Sequence, residues 1–149
     1  MSMNAAKERA AEQVRTAKNR AGLTWRALAE HIDRPVEWTT AALLGQHPVA
    51  ERDAERLGAL LDLDDEAVAA LQAQPYRTGL GDAANDPTIY RFLEAVAVYG
   101  PTIKELIHEE FGDGIMSAIN FKIDVSRRAD PGGDRVVVTF DGKFLDYSW

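Results

Sequence analysis

TWRALAEHIDRPVEWTTAALLG, residues 24–45, reads as two short helices meeting across a tight turn, and it decides how the first half of the chain folds. Thr24 is a residue type that caps a helix, and Trp25, Ala27, Leu28 and Ile32 follow at helical spacing. Asp33-Arg34-Pro35 breaks that helix, Val36 to Leu44 makes the next, and Gly45 closes it. This is the helix-turn-helix pattern used by many DNA-binding repressors, a statement about fold that carries no function by itself.

Working outward, Ala5 to Ala21 are strong helix formers ahead of a C-capping Gly22. After Pro48, Leu57, Leu60 and Leu61 mark a fourth helix, and Asp64 caps a fifth with Val68 and Leu71 inward. Residues 1–76 therefore form a five-helix, repressor-like domain, and the turn formers from Gln74 to Asp82 connect it to a second domain, residues 77–149. Asp86-Pro87-Thr88 starts a sixth helix that Gly100-Pro101 stops; Thr102 starts a seventh that ends at Gly112. The period then changes. Ile119, Phe121, Ile123 and Val125 alternate with polar residues, Ala129 to Asp134 make a turn, and Arg135 to Phe140 return as a strand, with Lys143 to Leu145 expected as a third. The fold class is mainly α with a small α+β C-terminal part, in which two helices precede a short hairpin. A few strands on about 30 residues cannot cover their own faces and edges, so the hairpin is expected to interlock with a partner subunit.

Composition narrows the function. The 149 residues carry 24 acidic and 17 basic side chains, a net charge of −7, which argues against a surface built to track phosphates. Residues 1–76 hold nine basic and twelve acidic side chains, a net of −3, and Val36 to Leu44 offers Glu37 and Trp38 but no lysine or arginine. A DNA-reading regulator is thus the weaker alternative, with Arg34 alone able to reach a phosphate, and no nucleic-acid partner is expected. Trp25 and Trp38 suit either an assembly surface or the core, the core being favoured. With no cysteine, disulfides, thiolate nucleophiles and cysteine-ligated metals are excluded. His31, His47 and His108 are scattered without an HExxH pattern, so no metal is expected, and the Gly79-Leu80-Gly81 and Gly132-Gly133 clusters lack the context of nucleotide loops. The charged N-terminus lacks a signal-peptide core and no run is long enough to span a membrane, so the expected location is cytoplasmic.

Three polar residues stand out. Arg91 and Glu94, at i and i+3, share one face of a helix that is apolar at Ile89, Phe92, Leu93, Val96 and Val98. Such a pair is most often a surface ion bridge worth a few tenths of a kcal/mol. On a narrow polar stripe it also makes a guanidinium fixed by a carboxylate and aimed at a small anion. Ser117, in Gly114-Ile115-Met116-Ser117-Ala118-Ile119-Asn120, has no nucleophile-elbow pattern around it, so a hydrogen-bond donor is its better role.

YRFLEAVAVYG (residues 90–100), LIHEEFGDGIMSAINFKIDV (residues 106–125) and the Asp141-Gly142-Lys143 turn together resemble the catalytic region of the cyanases. The resemblance covers nearly the whole chain, including TAALLGQ at residues 40–46 and the Asp86-Pro87-Thr88 helix start, and loosens before Gly22 and after Leu145. It implies a helix-turn-helix domain that does not bind DNA, a C-terminal domain whose strands interlock with a partner's, and dimers assembled into a homodecamer. It places the catalytic arginine, glutamate and serine on Arg91, Glu94 and Ser117. It also implies a lyase that takes cyanate and bicarbonate to ammonia and carbon dioxide through carbamate, with bicarbonate as co-substrate and no cofactor or metal.

Overall fold

The computed structural model describes residues 3–148, and the chain divides into two compact units, Met1–Arg77 and Thr78–Trp149. The first holds α1 (Met3–Arg20), α2 (Trp25–His31), α3 (Val36–Leu43), α4 (Glu51–Leu61) and α5 (Asp65–Gln72). Thr24 Oγ1 accepts the Ala27 amide at 3.0 Å and Asp64 Oδ1 accepts that of Ala67 at 2.7 Å, so both helix starts that carry a capping side chain use it. The Ala67 amide, followed by Gln13, holds the Asp64 carboxyl below its usual range. Asp33 adopts positive φ in the turn between α2 and α3, and Gly22 and Gly45 do so after α1 and α3.

Val14, Leu28, Ile32, Leu43, Leu57 and Leu71, one or more from every helix, are buried together as the core. Trp25 and Trp38 pack against it half-buried. Buried Lys7 and Asp53 make polar contacts across this unit. Lys7 of α1 donates to the Leu71 carbonyl at 3.3 Å, which also accepts the Val49 amide at 2.9 Å, so a terminal carbonyl of α5 is doubly satisfied. Burial lowers the pKa of Lys7. Asp53, 1% exposed in the first turn of α4, accepts from Arg52 at 3.0 and 3.2 Å and lies 3.4 Å from Arg34 Nε, a charge contact without hydrogen-bond geometry. Arg34 also lies over the Trp38 ring, 5.1 Å from its centre. Arg34, in the turn before α3, is thus drawn against the first turn of α4.

The second unit has a 3-10 turn, Gly81–Asn85, one helix α6 (Pro87–Phe111), and strands β1 (Gly114–Arg128) and β2 (Arg135–Asp146) paired antiparallel. Two expectations are corrected here. The expected sixth and seventh helices are one helix that runs through Pro101. Proline removes one amide, its ring crowds the carbonyl four residues back, and its Cδ meets the N–H and Cβ of the residue before it; Gly100 has no Cβ, which removes one of these obstacles to continuing the helix. The expected third strand at Lys143 to Leu145 is the end of β2, pairing Ile115 with Leu145 and Met116 with Phe144. Accordingly Asp141-Gly142-Lys143 is an internal stretch of β2 and not a turn.

Among the described residues of this unit only Gly114 and Ser117 are buried. Val98, Tyr99, Phe111, Ile119 and Val136 are all more than half exposed, Ile119 reaching 83%. One helix and one hairpin cannot cover both faces of either element.

His47 supplies a pH test of the first unit. Its ring stacks on Trp38 with centres 6.0 Å apart, and Arg77 Nη2 lies 3.0 Å from Nδ1; arginine only donates, so Nδ1 is the acceptor. Burial, then the charges of Arg77 and Lys7, lower its pKa below the ordinary 6.5. The unfolded chain therefore binds the proton first as pH falls, and stability present at neutral pH is lost below about pH 6.5. Thermal melts followed by tryptophan fluorescence from roughly pH 7 to roughly pH 5 are expected to show Tm falling, with a shallower fall in His47→Gln. An identical slope in that variant would show that His47 is not the group responsible.

Candidate active site

Pro87 at the first position of α6, with Asp86 Oδ1 accepting the Thr88 and Ile89 amides at 2.9 and 3.1 Å, starts the helix at a defined residue. That start places Arg91 and Glu94 one turn apart. Arg91 Nη1 donates to Glu94 Oε2 at 2.9 Å, the two side chains being 69% and 51% exposed. The guanidinium also approaches the Tyr90 ring, 5.9 Å from its centre. In water a pair this open contributes little to stability. One guanidinium N–H is engaged and several more remain to donate.

Ser117 is built differently. Between the pairs Met116 with Phe144 and Phe121 with Gly142 the register shifts, so residues 117–120 of β1 bulge against Lys143 alone. Ser117, 6% exposed, opens the bulge, and its Oγ accepts the Ile119 amide at 3.1 Å and the Asn120 amide at 2.9 Å. A hydroxyl has two acceptor positions and one proton. Both acceptor positions are taken, so what Ser117 has left to offer is the proton. Bulges of this kind re-aim side chains beside functional sites.

The structure thus brings Arg91 and Glu94 together, while the hydrogen-bond partners of Ser117 are the backbone of its own bulge. Two surface hollows lie in the first unit, one of about 500 Å³ lined by α1 and the end of α4, the other of about 200 Å³ lined by α1 and the start of α5. Neither contains Arg91, Glu94 or Ser117. Among the described residues no group of three or more His, Asp or Glu side chains is arranged to hold a metal ion, and no helix is long and apolar enough to cross a membrane. Two features escaped the reading of single residues. Gly142 and Gly114 sit where strand backbones pass closely, and a glycine inside a strand pattern was the available signal. His108 contacts the Gly114 carbonyl at 3.2 Å and Asp113 at 3.4 Å, tying the end of α6 to the start of β1.

A helix-turn-helix unit followed by a helix-and-hairpin unit is the architecture of one class of lyases, and the two halves match the models of that class. Residues 82–149 match the cyanate lyase C-terminal domain, and residues 7–75 match the cyanate hydratase N-terminal domain. Cyanate hydratase of Mycolicibacterium vanbaalenii is 61% identical over 144 residues, covering 96% of this chain and 94% of the relative. That of Dechloromonas aromatica is 53% identical over 142 residues, covering 95% and 97%. The crystal structure of cyanase from T. urticae superposes with a TM-score of 0.81 at 40% identity, covering 92% of this chain and 96% of that one. The chain belongs to the cyanate hydratase (cyanase) family, and it is a lyase.

If the Ser117 hydroxyl is what holds the bulge, Ser117→Ala leaves the Ile119 and Asn120 amides open to water. Hydrogen exchange read by mass spectrometry or NMR is expected to speed up at those two amides by roughly tenfold, the equivalent of about 1.4 kcal/mol, while α6 stays unchanged. Unaltered exchange at both would show that something else protects them.

Proposed function

We propose that the chain decomposes cyanate with bicarbonate as second substrate, giving ammonia and carbon dioxide through carbamate, at an anion site formed where copies of the chain meet. Arg91, Glu94 and Ser117 are its catalytic residues. The observation that carries this reading is the Arg91–Glu94 pair itself: a guanidinium held by one carboxylate oxygen at 2.9 Å, with its other donors unspent, on a helix with no buried residue.

The chemistry suits those parts. A bicarbonate oxygen attacks the cyanate carbon, the adduct loses carbon dioxide, and the carbamate left behind breaks down to ammonia and a second carbon dioxide. One cyanate, one bicarbonate and two protons are consumed for each ammonia and two carbon dioxides formed. Two anions must be brought together as charge grows on their adduct, so positioning and fixed positive charge supply most of the acceleration. Arg91 side chains of neighbouring copies bind the two anions. Ser117, its acceptor positions filled, donates its proton to an anionic oxygen. Glu94 orients Arg91 and assists proton transfer. In this reading no metal or organic cofactor takes part.

Assembly into dimers and then a decamer is part of the same proposal. Its support is the second unit, where apolar side chains of α6 and both strands are exposed and a patch of that extent marks an interaction surface. In the same reading the enzyme is cytoplasmic and removes cyanate or supplies ammonia.

Mixing the protein with cyanate, with and without bicarbonate, and measuring ammonia tests the reading. Release is expected only with bicarbonate and is expected to vanish in Arg91→Ala. Arg91→Lys keeps the charge but loses the two-pronged donor geometry, and kcat is expected to fall on the order of 100-fold. Near-normal turnover in Arg91→Lys would sink the role given to Arg91, and bicarbonate-independent release would sink the mechanism.

A further inference from the structure

We propose that Gly142 is a positioning residue for Ser117, an inference that rests on the role given to Ser117 above. The sequence places Gly142 in the middle of β2, a position where a strand ordinarily carries a side chain. Its backbone supplies no reason for glycine: it is not among the glycines with positive φ, so any residue could adopt its conformation. The reason is space. A Cβ at position 142 would lie 2.4 Å from the Ser117 carbonyl oxygen and 2.5 Å from Met116 Cγ. Met116 is flexible and could swing away, whereas the carbonyl is part of the bulge itself.

The consequence reaches the Ser117 hydroxyl through one residue. Four residues of β1 bulge against Lys143 alone, and the bulge closes with β2 running directly beneath the Ser117 carbonyl. A Cβ at 142 forces that carbonyl away by more than half an ångström, because real Cβ contacts do not approach so closely. Displacing that peptide shifts the chain that follows it, so the Ile119 and Asn120 amides move relative to Oγ and the 3.1 and 2.9 Å contacts that commit the hydroxyl to donating are lost. Misplacement on the order of 1 Å at a reacting centre costs about 100-fold in rate. Gly142 touches no substrate in this account; it acts through Ser117.

Ser117→Ala, Gly142→Ala and the double variant, each as the assembled enzyme, test this by cyanate-dependent ammonia release, thermal melting, light scattering and amide exchange. Ser117→Ala and Gly142→Ala are each expected to lose roughly 100-fold in kcat with little change in KM. Exchange is expected to speed up at the Ile119 and Asn120 amides in both. The double variant should be no slower than Ser117→Ala, because a residue that acts only through another has nothing left to act on. Losses that multiply in the double variant overturn the inference, as does a Gly142→Ala enzyme at the wild-type rate beside a slow Ser117→Ala. Gly142→Ala that no longer assembles, or melts below the assay temperature, also overturns it, since the glycine then serves the fold at large. Ser117→Ala at the wild-type rate sinks the role of Ser117 itself and is distinguishable from all of these.

Discussion

Beyond one 3-10 turn, the described residues of the second unit form a single long helix and a two-stranded hairpin, and no packing of those two elements encloses an interior. Everything else about this unit follows from that constraint. Its large apolar residues, Val98 and Tyr99 on α6 and Ile119 and Val136 on the strands, are open to solvent in the single chain. Burial of apolar surface is the main term that offsets the loss of chain entropy. In the proposed assembly the cover comes from further copies, and the polar residues left on the same surfaces, Arg91 and Glu94, are brought to junctions where water is excluded and a guanidinium acts on anions far more strongly than at an open surface.

The first unit answers the same problem internally. Five short helices each contribute apolar side chains to one core, and buried Lys7 and Asp53 are used to bind helix to helix. Its helix-turn-helix geometry is therefore compatible with a role that has nothing to do with nucleic acid. Arg34 is drawn against Asp53 and Trp38, Trp38 is packed on the core and stacked on His47, and α3 carries no basic side chain to present to a groove. The helix-turn-helix fold carries no function by itself, and α3 adds no basic side chain to it.

At Ser117 the chain combines two demands. In the role proposed for it, the hydroxyl is held still by the Ile119 and Asn120 amides, and because those amides fill its acceptor positions it keeps its proton to donate. Both rest on an irregularity in the ladder, beside which the facing strand carries Gly142, where a Cβ would lie 2.4 Å from the Ser117 carbonyl oxygen. Arg91 and Glu94 need less. A helix start capped by Asp86 and a spacing of three residues suffice to bring them together.

Much of this was legible from residue order alone. Capping by Thr24 and Asp64, the break at Asp33 to Pro35, the core positions Leu28, Leu57 and Leu71, and the Arg91–Glu94 contact are local matters, set by side chains within a turn or two of one another. The rest required the fold. Gly100-Pro101 reads as a stop, yet the helix continues, and the missing Cβ at Gly100 removes one of the clashes that proline makes with a helix. Lys143 to Leu145 reads as a separate strand, yet it continues β2, because the register shift lies in β1. The sequence by itself determined most helix starts, the alternation of the strands and which polar groups lie one turn apart, since those depend on short-range sterics and hydrogen bonding. Only the tertiary structure decided that Ser117 is buried in a bulge and that Gly142 must lack a side chain, since both arise where two strands distant in sequence approach more closely than a Cβ allows.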